Sequence, residues 1–168
     1  GRHYEGVKEE MAVEPGWREA GRTHTVVVLV GSVNKGALRA IAYARSLAPD
    51  RLLAVSVVGD AEEQDKITKA WVDHKVPMEL TTIYSPYRQL TRPVLKFLDD
   101  LDAESPDDTI TVVVPEFVVT SWYGQLLHNH SALALKARLL FRPNTVVTSV
   151  PVLVGETTRS SAEKVSNL

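Results

Sequence analysis

The chain has 168 residues, 44% of them hydrophobic, and a net charge of −2 from 19 basic and 21 acidic side chains; its mean hydropathy is −0.08. This fits one globular, soluble domain with a real core, and the balanced charge without a basic stripe argues against a nucleic-acid partner. The absence of cysteine excludes disulfides, thiolate nucleophiles and Cys-ligated metals, and no apolar run reaches the roughly 20 residues of a membrane helix.

Residues 1–22 are polar and punctuated by Pro15 and Gly16. They lack the apolar core of a signal peptide, and the chain begins with Gly1 rather than Met, as a piece of something longer would. The segment reads as a linker, with a short helix over Tyr4–Val13, leading into a domain that spans residues 23–155.

Thr25–Val30 is a continuous run of mostly β-branched apolar residues, the mark of a strand buried on both faces. Asn34–Leu47 follows as a helix with Leu38, Ile41, Ala42 and Leu47 at helical spacing, ended by Pro49-Asp50. Leu52–Val58 is a second buried strand, and Ala61–Lys75 a charged helix with Ile67, Ala70 and Trp71 inward. Met78–Tyr84 is a third strand. Gln89–Leu101 is a third helix with Leu90, Val94, Leu95, Leu98 and Leu101 on one face. Ile110–Val114 is a fourth strand, Ser131–Leu140 a fourth helix, and Thr145–Val154 a fifth strand; residues 156–168 form a Ser-rich flexible tail.

Strands alternating with helices of this length predict an α/β domain, a mostly parallel five-stranded sheet with helices on both faces joined by right-handed crossovers. Pro151 inside the last strand places that strand at an edge. Its apolar edge needs covering, and pairing with the same strand of a second copy predicts a homodimer.

Open sheets of this kind take ligands beyond the carboxyl ends of their strands. After the first strand, Gly31 and Ser32 either let backbone amides approach an anion or form a turn in which Ser32 or Asn34 caps the helix. After the third strand, Ser85, Pro86 and Tyr87 form a stiff turn whose tyrosine offers a stacking face, and Arg88 opens the third helix, where a cation opposes the helix dipole and calls for an anionic partner. Glu116, after the fourth strand, either accepts from a ligand or pairs with Arg88. His128, Asn129 and Ser131 precede or open the fourth helix; they hold phosphate there, or Asn129 or Ser131 caps the helix. His128 and His130 have no third ligand nearby, so no metal site is expected. There is no G-x-S-x-G elbow and no cysteine nucleophile, so the chain is not expected to be an enzyme.

Over residues 24–154 the five-strand pattern resembles the universal stress protein fold. This implies a flavodoxin-like nucleotide binder with strand order 3-2-1-4-5. The chain lacks that family's G-x-x-G-x₉-G-[ST] motif and the aspartate that usually ends strand one, which argues against the usual mode of ATP binding. Arg2-His3-Tyr4, Tyr84-Ser85-Pro86-Tyr87-Arg88, Val114-Pro115-Glu116-Phe117 and Leu126-Leu127-His128-Asn129-His130-Ser131 are similar to the cytosolic C-terminal domain of bacterial permeases. These belong to the amino acid–polyamine–organocation superfamily, which includes the KimA-type potassium importers. Asn129-His130-Ser131 stands where those proteins usually carry Asn-Gln-Ser. The resemblance implies a domain at the cytoplasmic face of the membrane, joined through residues 1–22 to a transmembrane transporter. It also implies dimerisation and control of potassium or amino acid transport by cyclic di-AMP. Tyr87 would then stack an adenine, Arg88 would pair with a phosphate, and no cofactor would be needed. An ATP- or AMP-binding stress-type protein and a dimerisation module without a ligand are the competing readings.

Overall fold

The computed structural model describes residues 22–87, 89–115 and 130–151, with side chains in the last stretch from residue 134 onward. Among these, five strands alternate with four helices: β1 (His24–Leu29), α1 (Lys35–Ser46), β2 (Arg51–Val58), α2 (Ala61–Asp73), β3 (Leu80–Tyr84), α3 (Thr91–Glu104), β4 (Thr109–Pro115), α4 (His130–Leu140) and β5 (Thr145–Val150). Every pairing is parallel, and the order is β3-β2-β1-β4-β5. The expected order 3-2-1-4-5 is therefore met.

The valine-rich strands bury both faces, as parallel strands between helical layers must. On one face Val27, Val55 and Val112 pack against Val94 and Leu98 of α3 and Leu139 of α4. On the other, Val26, Val28 and Val113 pack against Ala40 and Ala44 of α1 and Trp71 of α2. Trp71 sets its ring nitrogen 2.8 Å from the Met78 carbonyl, so its one polar atom is paired.

Four expectations are corrected. In α1 the inward residues include Gly36, Ala37, Ala40, Ile41 and Ala44, whereas Leu38 and Ala42 are exposed. The small residues allow close approach to the sheet, and that outweighs the larger apolar surface of Leu38. In α2 only Ile67 and Trp71 are buried; Ala70 is half-buried. The third helix begins at Thr91 rather than Gln89. Pro93 belongs to its first turn, the place where a helix tolerates a residue without an N–H. Pro151 follows β5 rather than lying within it. The fifth strand is an edge strand, as expected, and residues 152–154 of its expected span lie outside the described residues.

The amino end of the sheet is closed by cross-links. Arg22 reaches the Asn144 side chain at 3.0 Å, and the His24 amide donates to Asp50 at 2.6 Å. The Thr109 amide donates to the Thr23 carbonyl at 2.9 Å, and Thr25 donates to Asp108 at 3.1 Å. Two helix ends and the turn into β5 also carry non-glycine residues in the left-handed region: Ala48, Lys75 and Asn144.

Candidate functional site

The carboxyl end of the sheet differs. Four connections leave it: those after β1, β2, β3 and β4. Strand order reverses between β1, which leads to β2 on one side, and β4 on the other, and a crevice is expected at that switch point.

The connection after β2 is satisfied locally. Asp60 caps α2 by accepting from the Glu63 amide at 2.8 Å, and the Glu63 carboxylate in turn accepts from the Gly59 amide at 2.8 Å. This reciprocal cap consumes donors that a ligand would otherwise meet.

The connection after β1 is ordered but open. Asn34, not Ser32, caps α1: its side-chain oxygen accepts from the Ala37 amide at 2.9 Å. The Asn34 amide group donates to the Ser32 hydroxyl at 3.0 Å. That hydroxyl keeps its own hydrogen for another acceptor. Ser32 is exposed, Gly31 is half-buried, and α1 carries no acidic residue in its first turn. An anion would meet the positive end of a helix and no carboxylate in that helix's first turn.

The connection after β3 holds Ser85 and Tyr87. Ser85 is buried; its amide donates to the Val58 carbonyl at 2.8 Å, and its hydroxyl accepts from the Gln89 amide at 3.1 Å. Ser85 therefore spans the segment that carries Tyr87 and fixes its width. Tyr87 is 83% exposed. A phenol ring left in water beside a rigid turn contributes nothing to the core, and it is free to stack on a planar ligand. Tyr84, at the carboxyl end of β3, is 66% exposed and adds a second ring to the same end.

No side chain caps α3: Leu90 holds the N-cap position and turns its side chain into the core. Since Pro93 lacks an amide, the helical residues of the first turn that can offer a free donor at this end are Thr91 and Arg92, beside the N-cap amide of Leu90. Sequence reasoning missed this pair. The signal was Pro93, which belongs in a first turn and so dates the start of the helix.

The structure thus brings Gly31, Ser32, Ser85 and Tyr87 to one end of the sheet. They do not form one cluster. β2 lies between β1 and β3, so the two loops stand about 10 Å apart, two strand spacings. Only a ligand longer than a single ring could touch both. Ser131 lies in the first turn of α4, at the same end. Arg88, Glu116, His128 and Asn129 fall outside the described residues. Among the described residues no group of three His, Asp or Glu side chains could hold a metal, and no helix is long and apolar enough to cross a membrane.

Residues 22–152 match the family described as the KimA potassium transporter C-terminal domain. The chain is 32% identical over 151 residues to the potassium transporter KimA of Bacillus subtilis (strain 168), an alignment covering 89% of this chain and 25% of that protein. The chain therefore spans about a quarter of the length of the curated relative it matches. A universal stress protein from Archaeoglobus fulgidus aligns with a TM-score of 0.47 at 12% identity, over 80% of this chain and 98% of that one.

Proposed function

The chain belongs to the KimA potassium transporter C-terminal domain family, and from that premise we propose that it is the nucleotide-sensing regulatory domain of a membrane potassium transporter, with cyclic di-AMP as its ligand and no catalytic activity of its own. The family match across residues 22–152 carries the reading. The carboxyl end of the sheet supports it with a free tyrosine ring, an exposed hydroxyl, and two helix starts without an acidic residue in the first turn.

The ligand's chemistry suits this spread of features. Cyclic di-AMP has two adenines and two phosphates related by a two-fold axis. Tyr87 would stack one adenine, a contact worth about 1–3 kcal/mol in nucleic-acid complexes. A phosphate would take the α3 amides and Arg88 as donors. The Gly31-Ser32 turn would admit the ligand closely, with Ser32 donating to it. Glu116, His128, Asn129 and Ser131 would complete the site from the β4 side. The ligand's symmetry matches that of a homodimer. We place the contact between copies along β5, an edge strand whose Val146 is exposed. In the full-length protein the domain would sit at the cytoplasmic face of the membrane, behind the transporter's membrane-spanning part.

Isothermal titration calorimetry with cyclic di-AMP, against ATP, AMP and cyclic di-GMP, tests the reading. Selective binding at micromolar strength or better, about −8 kcal/mol, is the expected outcome. Preferential binding of ATP or AMP would return the chain to an ordinary stress-protein role. Binding of none of them would leave a dimerisation module.

A further inference from the structure

Arg142 lies between the end of α4 and the start of β5. Its guanidinium donates to Asp99 at 2.7 Å and, through the other terminal nitrogen, to Asp102. The arginine side chain is only 12% exposed, and its Nε is buried with no partner among the described residues. Asp99 and Asp102 are three positions apart, so they stand on one face of α3, in its last two turns.

A buried guanidinium is a poor device for stability alone. Its desolvation offsets much of the Coulomb gain, and a hydrophobic residue of similar volume often serves as well. A fork that engages two carboxylates on one helix does something an apolar side chain cannot: it fixes angle and register. Here the fork belongs to the foot of α4 and the carboxylates to the foot of α3. The two helices share one hydrophobic face, with Leu98 and Leu101 of α3 alongside Leu135 and Leu139 of α4. Leucine contacts of this kind resist separation but permit sliding.

Both helices run antiparallel to the strands, so their starts lie at the carboxyl end of the sheet. Tyr87 and the Thr91 and Arg92 amides stand at the start of α3; Ser131 stands in the first turn of α4. We infer that Arg142 is a positioning residue for the ligand site: by locking the feet of α3 and α4 together, it sets the spacing between the two halves of the site at their heads. The ligand-affinity part of this inference rests on the function proposed above; the spacing part does not.

The chain contains no cysteine, so a spin-label pair can be placed without background. Cysteines at the exposed positions 96 (Lys96→Cys), beyond the first turn of α3, and 134 (Ala134→Cys) report the distance between the upper halves of the two helices by pulsed electron paramagnetic resonance. With Arg142 present, a single narrow distance distribution is expected. Arg142→Met should broaden or shift it and weaken cyclic di-AMP binding about tenfold. Ile41→Val, in the opposite core face, serves as a control that lowers stability without moving either readout. Should Arg142→Met fail to fold, Asp99→Ala decides instead, since Asp99 is largely exposed; the distribution should broaden there too. An unchanged distribution in the folded variant overturns the inference. A changed distribution in a protein that binds no nucleotide upholds the spacing role and overturns only the function proposed above. A changed distribution with unchanged cyclic di-AMP affinity overturns the positioning role.

Discussion

The hydroxyl of Ser85 accepts a hydrogen bond from the amide of Gln89 at 3.1 Å, bridging the turn that presents Tyr87 to solvent. The side chain is buried, so the bond is made away from competing water. Ser85 thus shapes the turn. Any contact it made with a ligand would have to use its hydrogen or its one remaining lone pair.

Ser85→Ala should therefore lower stability by about 1 kcal/mol, the usual value of one such bond, plus any penalty for leaving the Gln89 amide unmet. Urea denaturation reads the loss directly. An equal stability in wild type and variant would mean that the bond is not formed in solution.

Tyr87→Ala should behave in the opposite way. The ring is exposed, so stability should change by less than about 0.5 kcal/mol. Cyclic di-AMP affinity should fall by about 1–3 kcal/mol, or roughly 5- to 150-fold. Calorimetry and thermal unfolding on the same preparation separate the two effects.

Ala48 follows α1 with a φ of 46°. A side chain with a Cβ is strained there, and the left-handed region costs an L-residue roughly 1–2 kcal/mol. Ala48→Gly should raise the urea midpoint, with a gain of up to about 1 kcal/mol after the greater unfolded-state entropy of glycine is subtracted. A lower midpoint would contradict the strain.

Burial acts to lower the Arg142 pKa, but the hydrogen bonds to Asp99 and Asp102, with their charges, outweigh it and raise the value above that of an ordinary arginine. A raised folded-state value means that the stability contributed is complete below the unfolded-state value and is lost only as pH climbs through the folded one. For arginine that window lies at extreme alkalinity. Arg142→Lys should move it down towards the lysine range, which begins at about 10.4. The stability gap between wild type and Arg142→Lys should thus widen as pH rises beyond about 10. A constant gap across the alkaline range would show that the lysine does not occupy the clamp.

The sheet was legible because its strands carry their own signal. Thr25–Val30 and Leu52–Val58 have no polar alternation, and only a doubly covered parallel strand buries such runs. The face of α1 was not legible by the same logic. Leu38 looks inward on a hydrophobicity count, but Ala37, Ala40 and Ala44 lie inward because their size lets the helix sit close to the valines beneath. The start of α3 was misplaced because Leu90, with no capping oxygen, gives no stop or start signal. The Arg142 clamp was invisible for a different reason. Its partners lie 43 and 40 positions away, and nothing local marks an arginine that will reach them. At the candidate site, residue types were readable, whereas separation was not. That Tyr87 and Gly31 stand two strands apart follows from the order of the sheet, which the family resemblance implied but no local residue pattern could.

The central place of β1 also shapes how the chain folds. Its neighbour β2 comes next in the chain, but its other neighbour, β4, comes far later; His24 on β1 bonds to Thr111 on β4, 87 positions on. One edge of β1 can close early, and the other must wait until β4, at residues 109–115 of 168, has been made. Contacts of such sequence separation slow folding. On the ribosome, the β1-β2-β3 half would emerge with one long apolar edge still open, a state prone to mispairing until β4 arrives. The central strand of the finished sheet therefore starts out as a growing edge.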